Sequence, residues 1–306
     1  MDGSYGARST SSYAWVVLFQ GMTHDAISGL DKADERWYSE TQGRWITTDP
    51  MGFNAGDDNL YGFVGNSPAN SVDPTGLAAW EPVTVVTPGG NFQLRFEFSN
   101  LNSERRFSDA QKQSIINLMS RTRDAIAAAW NAVYNLAKTE CGDSPARPTQ
   151  EDLLTKERMR KSFEGYDTCV SCDCVKKLED TLWKMKQAFA NSTKSLRSAI
   201  DFSFNPSMSS DHIAEWHGIY SEIRVGKNFM SGQASDLLRI STIVHELSHG
   251  YAGTKDYGYL NSGSGPLAEY VDVDDNPVKL TTKQKCNNAS SVENFVMKYC
   301  EGNIYQ

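Results

Sequence analysis

Two histidines, His245 and His249, stand four residues apart with Glu246 beside the first of them. On an α-helix that spacing puts both imidazoles on one face, one turn apart, where they can hold a single ion. A pair of imidazoles suits zinc, which lowers the pKa of a coordinated water toward neutrality. Glu246 sits where it can contact that water without binding the metal, accept its proton, and later pass the proton to a leaving amine. The bland alternative is a helix with two hydrogen-bonded core histidines. Against it, the chain has five histidines and two of them fall in this motif. The run Leu237, Leu238, Ile240, Ile243, Val244 and Leu247 also supplies the apolar, rigid setting that a metal site needs.

Such a site needs a third protein ligand. After His249 the chain reads Gly250-Tyr251-Ala252-Gly253-Thr254-Lys255-Asp256-Tyr257-Gly258-Tyr259, with no further His or Cys. Gly250 and Gly253 let the helix stop and the chain turn back, which brings Asp256 within reach of the same ion. Glu269, carried on a later helix, is the competing ligand; the turn immediately before Asp256 favours Asp256.

The elements that must position these groups follow from the apolar spacing. Residues 82–98 alternate apolar and polar side chains around Pro88-Gly89-Gly90-Asn91, which predicts a hairpin. Ser108 and Gln111 form a capping box, and the stripe Ile115, Ile116, Met119, Ile126, Trp130, Val133 and Leu136 predicts a helix to about Ala137. A loop is expected around Cys141–Pro148, then a helix over about Val175–Ser195 with Leu178, Leu182, Met185 and Phe189 inside. Strand-like runs follow at Ala199–Phe204 and Tyr220–Phe229, and residues 235–249 read as a buried helix.

The motif His-Glu-x-x-His followed by Gly253-Thr254-x-Asp256-x-x-Tyr259 resembles the aspzincin metallopeptidases, the deuterolysin and peptidyl-lysine endopeptidase group. The resemblance implies an α+β fold: a mainly helical zincin-like domain with a small sheet. It implies one Zn2+ per chain held by His245, His249 and Asp256. It makes Glu246 the catalytic base and the Tyr259 hydroxyl the donor to the oxyanion, with Tyr257 a nearby competitor. Ile223–Phe229 resembles the strand and turn before the family's zinc helix, and Asn288–Phe295 resembles its C-terminal helix beside the substrate pocket. Glu293 keeps one of two acidic positions that bind a substrate ammonium in lysine-specific members. Ser290 stands at the other, and Leu260 replaces the family's Gly.

The first 80 residues have a different texture, rich in Gly, Asp, Asn and Tyr, which predicts short strands joined by tight turns. Gln20-Gly21-Met22-x-His24-Asp25, Arg36-Trp37-Tyr38, Gly43-Arg44-Trp45 and the repeated Asp49-Pro50-Met51-Gly52 and Asp73-Pro74-Thr75-Gly76 resemble the end of the Rhs (YD-repeat) core. The resemblance covers about residues 15–77. It divides the chain into a short β-rich remnant of that core, 1–77, and a metallopeptidase domain, 78–306. It implies self-cleavage after Leu77 by Asp49 and Asp73 sharing a proton, an upstream Rhs shell, and release of a C-terminal toxin with an immunity protein as partner. Both Asp-Pro pairs have the plainer reading of turn starters.

Composition bounds the rest. The 306 residues carry a net charge of −8 and no basic stripe, which excludes a nucleic-acid binder. The longest apolar run, Ala14–Phe19, is too short for a membrane span and lacks the flanks of a secretory signal, so export would use a specialised secretion system. Six cysteines fit disulfides or reduced structural thiols equally well; a bridge between Cys286 and Cys300 would staple one short helix, and Cys169, Cys172 and Cys174 alone make a weak metal motif. The expected activity is that of a zinc endopeptidase acting on protein or peptide. The competing expectation is a non-catalytic Rhs tip used for binding or adhesion.

Overall fold

The computed structural model describes residues 16–50, 52, 59–73, 75–76, 79–98, 107–142, 146–164, 171–194, 199–209, 213–218, 222–231, 234–261, 269–272, 274 and 276–300. Leu77 and Cys169 lie outside them. The chain is mixed α+β, and its described residues form two apolar clusters. The smaller, formed by Met22, Ala33, Tyr38, Trp45, Phe63 and Val64, lies in the N-terminal stretch. There β1 (Thr23–Asp25), β2 (Leu30–Lys32), β3 (Trp37–Ser39) and β4 (Arg44–Trp45) form an antiparallel meander. Paired backbone hydrogen bonds between Val72 and Trp80 link this stretch to the first strand of the main sheet.

The larger cluster is built on that five-stranded sheet. Its strands are β5 (Ala79–Val85), β6 (Phe92–Phe98), β7 (Ile200–Phe204), β8 (Ala214–His217) and β9 (Glu222–Val225), in the order β5-β6-β7-β9-β8. β5 and β6 form the expected hairpin, β6, β7 and β9 run parallel, and β8 is an antiparallel edge strand. The period of two sends Leu94, Phe96, Ile200, Phe202, Ile223 and Val225 to one face, all without solvent exposure. The opposite face carries Arg95, Asp201 and Glu222 in register on neighbouring strands. Arg95 donates to both Asp201 oxygens, at 2.7 and 2.5 Å, and both residues are buried.

Helices cover the apolar face. α1 (Asp109–Glu140) starts at the reciprocal Ser108–Gln111 cap, and α3 (Cys172–Ser192) packs along it. Between them α2 (Gln150–Met159) occupies part of a stretch for which the apolar spacing predicts no helix. Its signal is the Thr149–Asp152 capping box just after Pro148. Of the run Tyr220–Phe229, Tyr220 and Ser221 lie outside the described residues, and the rest splits into β9 and a single helical turn, α4 (Lys227–Met230). α5 (Asp236–Ala252) carries the histidine motif and buries Ile240, Ile243, Val244 and Leu247; Leu238, expected inside, is half exposed because it lies on the opposite flank.

After α5 come β10 (Tyr259–Asn261), β11 (Glu269–Val271) and β12 (Pro277–Val278), a three-stranded antiparallel sheet. Glu269 therefore sits on a strand and not on a helix. α6 (Thr282–Lys285) and α7 (Ala289–Met297) complete the order, α7 packing against α5. The sheets are more extensive than the expected small one. Among the described residues four cysteines form two bridges, Cys141–Cys172 and Cys174–Cys286. The expected Cys286–Cys300 staple is not made, because Cys286 is drawn to the first turn of α3 instead.

Breaking a buried ion pair on one side strands the other charge, at a cost of about 3–5 kcal/mol, whereas replacing both partners by apolar groups is nearer neutral. We predict that Asp201→Ala lowers unfolding stability by about that amount, and that Arg95→Met with Asp201→Leu loses much less. Urea unfolding midpoints would decide it; an Asp201→Ala protein as stable as the parent removes the pair from any account of the sheet.

Candidate metal centre

α5 begins where the Ser235 hydroxyl accepts the Leu238 N–H and ends at Gly253, whose φ of 67° is left-handed. The Gly253 N–H donates to the His249 carbonyl, the 5→1 bond of an αL-type helix stop, and the Thr254 N–H reaches back to the Ser248 carbonyl. Only Gly253 performs the turn. Gly250 matters for packing instead, since a side chain there would overlap the Trp216 indole, which lies against the helix.

The turn brings Asp256 back over the helix. Its Oδ1 lies 3.0 Å from His245 Nε2 and its Oδ2 3.2 Å from His249 Nε2. Among the described residues, His245, His249 and Asp256 form the group of ligand atoms able to hold a metal ion, all within 4.8 Å of one another. Two nitrogens and one carboxylate oxygen are zinc donors. With bonds of about 2.0–2.2 Å a tetrahedral ion wants its donors about 3.4 Å apart. The group fits zinc.

Two further contacts orient the imidazoles. Nδ1 of His249 donates to the Thr254 carbonyl at 2.9 Å, and the Thr254 hydroxyl pairs with the Ser248 hydroxyl at 2.6 Å. Nδ1 of His245 meets Glu293 Oε2, also at 2.9 Å. Each ring thus turns Nε2 toward Asp256 (the tautomers are assigned from these partners). Burial works to lower the His245 pKa, but hydrogen bonds to Asp256 and Glu293 outweigh it and push it up to about 10. Burial likewise opposes the rise at His249, which its bond to Asp256 drives. At Asp256 burial acts to raise the pKa, yet the two imidazoles hold the carboxyl well below the usual range. A cation at this triad competes with protons for the same nitrogens.

Asn288, wholly buried, holds the returning loop. Its side chain accepts the Tyr257 N–H at 2.9 Å and donates to the Gly258 carbonyl at 2.7 Å. Backbone bonds from Lys255 to Asn287 and from Ala289 to Lys255 complete the clamp. The sequence marks Asn288 only as the start of a helix; its part in placing Asp256 depends on a contact across 31 residues and has no local signal.

Glu246 is 8% exposed, and its Oε2 accepts the Trp216 backbone N–H from edge strand β8 at 2.6 Å. Burial raises its pKa above the ordinary value, against the opposing pull of His245 and His249. The Tyr259 ring lies parallel to that of His245, centroids 6.3 Å apart, and burial raises its pKa too, so the hydroxyl keeps its proton at neutral pH. One cleft of about 610 Å³ is lined by His245, Glu246, His249, Asp256, Tyr259 and Glu293 together. Tyr257 lines a different cavity, with Lys177 and Lys283.

The other expected pair meets at Arg36, which places one guanidinium nitrogen 2.7 Å from Asp49 Oδ2 and another 2.9 Å from Asp73 Oδ2. Its guanidinium also stacks on Trp45, and Asp73 accepts the Gly76 N–H at 2.8 Å. The structure thus brings the two aspartates of the repeated motif to one cation.

No protein-family profile matches the chain. A segment is 41% identical over 70 residues to the toxin protein Tse5 of Pseudomonas aeruginosa (strain PAO1), covering 23% of this chain and 5% of that protein. The uncharacterised Escherichia coli (strain K12) protein YlbH is 43% identical over 58 residues, covering 19% of this chain and 24% of YlbH. The chain thus spans only a small part of these relatives. Among solved structures, a zinc peptidase from Grifola frondosa aligns with a TM-score of 0.38 at 17% identity, covering 63% of this chain and 97% of that one.

Because the space over Gly250 is filled by Trp216, Gly250→Ala must displace the indole at an overpacking cost of about 1–3 kcal/mol. The Trp216 backbone is also what holds Glu246. The expected outcome is a fall in melting temperature by the corresponding amount, larger than for Ser235→Ala on the exposed start of the same helix. An unchanged melting temperature would show that the indole moves freely.

Proposed function

We propose that the chain is a zinc-dependent endopeptidase that hydrolyses protein substrates, carried as the C-terminal toxin of an Rhs-type effector. The observation that carries this reading is the convergence of His245, His249 and Asp256 in one cleft with Glu246 and Tyr259. When bound, zinc supplies a Lewis acid that polarises the scissile carbonyl and activates water. Glu246 takes the proton of the attacking water and returns it to the leaving nitrogen, a shuttle favoured by a pKa that burial raises above the ordinary carboxylate value. Tyr259, protonated at neutral pH, donates a hydrogen bond to the oxygen that gains charge, a contribution of about 3 kcal/mol for a pre-placed donor. The Trp216 N–H keeps the Glu246 carboxylate from turning away.

The local identity to a toxin protein and the Rhs-like motifs of residues 15–77 support delivery into a target cell by a specialised secretion system, with an upstream Rhs shell and an immunity protein as partners. No helix among the described residues is long and apolar enough to cross a membrane.

The purified chain should bind about one zinc per molecule, lost in His245→Ala, His249→Ala or Asp256→Ala. Glu246→Gln should keep the metal while proteolysis of a denatured protein mixture falls by about 10²–10⁴. A chelator should stop cleavage and added zinc restore it. Full activity in zinc-free protein would sink the reading, and zinc binding without cleavage would favour a non-catalytic tip used for binding. Cleavage after Leu77 is a separate proposal: the chain should yield a fragment beginning at Ala78, and Asp49→Asn or Asp73→Asn, but not Glu246→Gln, should prevent it. N-terminal mapping decides this, and release from the Asp73→Asn chain would remove Asp73 from the reaction.

A further inference from the structure

The resemblance gives Glu293 to a substrate ammonium, yet the structure commits its carboxylate within the protein. Oε2 accepts from His245 Nδ1 at 2.9 Å and Oε1 accepts from the Ser241 hydroxyl. Ser241 lies on α5 one turn before His245, so the three side chains tie the metal-bearing face of α5 to α7. The backbone of Glu293 is itself fixed, because Val292, Phe295 and Val296 of α7 are fully buried against the main cluster. We propose that Glu293 is a positioning residue of the metal centre, setting the orientation and donor strength of His245, and not the group that selects the substrate side chain. The proposal rests on the zinc reading above.

Three physical points support it. An imidazole that offers Nε2 to a cation must carry its proton on Nδ1, and only an acceptor fixed at Nδ1 enforces that tautomer and the ring angle. Glu293 is such an acceptor. Second, the two imidazoles are backed unequally: His249 by the neutral Thr254 carbonyl, His245 by a full carboxylate. The negative partner makes His245 the stronger donor. Third, a divalent ion at two imidazoles and one carboxylate keeps one positive charge for the nearby carboxylates, Glu246 and Glu293, to balance beside the largely buried His245. The Glu293 carboxylate lies where it offsets that charge. A substrate ammonium at Glu293 would have to share oxygens that already accept from His245 and Ser241.

The test measures zinc affinity of the full chain by competition with a chromophoric chelator, for the parent and for Glu293→Gln, Glu293→Ala and Ser241→Ala. Loss of an outer hydrogen-bond partner weakens metal binding by about 10–100-fold. Glu293→Ala should fall in that range. Glu293→Gln should lose less, because its amide oxygen still accepts the Nδ1 proton, and Ser241→Ala least. The cobalt-loaded visible spectrum should shift in Glu293→Ala. Among residual activities, the ratio of kcat/KM for lysyl and norleucyl peptides should stay at the parent value. Glu293→Gln is nearly isosteric and serves if Glu293→Ala does not fold. Parent-like zinc affinity and spectrum in the Glu293 variants, with a selective rise in KM for lysyl peptides, would overturn the proposal in favour of substrate binding. A parent chain that binds no zinc would instead overturn the metal reading on which it stands.

Discussion

Asp256 lies between two imidazoles of one helix, and it can do so only because the chain reverses within four residues of His249 and is then held. The reversal is the left-handed Gly253, a conformation that costs a β-carbon about 1 kcal/mol and glycine almost nothing. The holding is done by Asn288 and its neighbours, since the carboxylate itself is 42% exposed and has little packing to fix it. The Gly-Thr-x-Asp pattern then has a physical content residue by residue. Gly turns, Thr offers its carbonyl to His249 and its hydroxyl to Ser248, and Asp arrives at both Nε2 atoms.

Much of this was legible in the sequence because it is local. The helix of His245 and His249, the stop after it, the hairpin of β5 and β6 and the two long helices all derive from periods and caps within a dozen residues. What was not legible depends on distant partners. Leu238 reads as core by type but lies on the flank of α5 that faces away from the main cluster. Gly250 reads as a breaker, yet it stays helical because Trp216 of β8 needs the space. Glu293 reads as a substrate group from resemblance, while its hydrogen bonds turn it toward His245. The Cys174–Cys286 bridge spans 112 residues, and no local pattern picks it over a neighbouring thiol.

The N-terminal stretch obeys a different logic. Its apolar cluster is small and aromatic, and Arg36 does the joining: it draws Asp49 and Asp73 from two copies of a motif and lays its guanidinium on Trp45. The aspartates of the two Asp-Pro pairs thus anchor one cation. Their meeting was expected from the resemblance of the repeated motif; the cation they share was visible only as one arginine among the Arg-Trp-Tyr residues.

The clamp on Asp256 and the partner of His245 both come from residues 287–293, more than thirty positions beyond the ligands they hold. Without the segment that begins α7, Asp256 would hang from one glycine and His245 would lack its carboxylate, so a clipped chain ending before residue 287 carries the motif without these contacts.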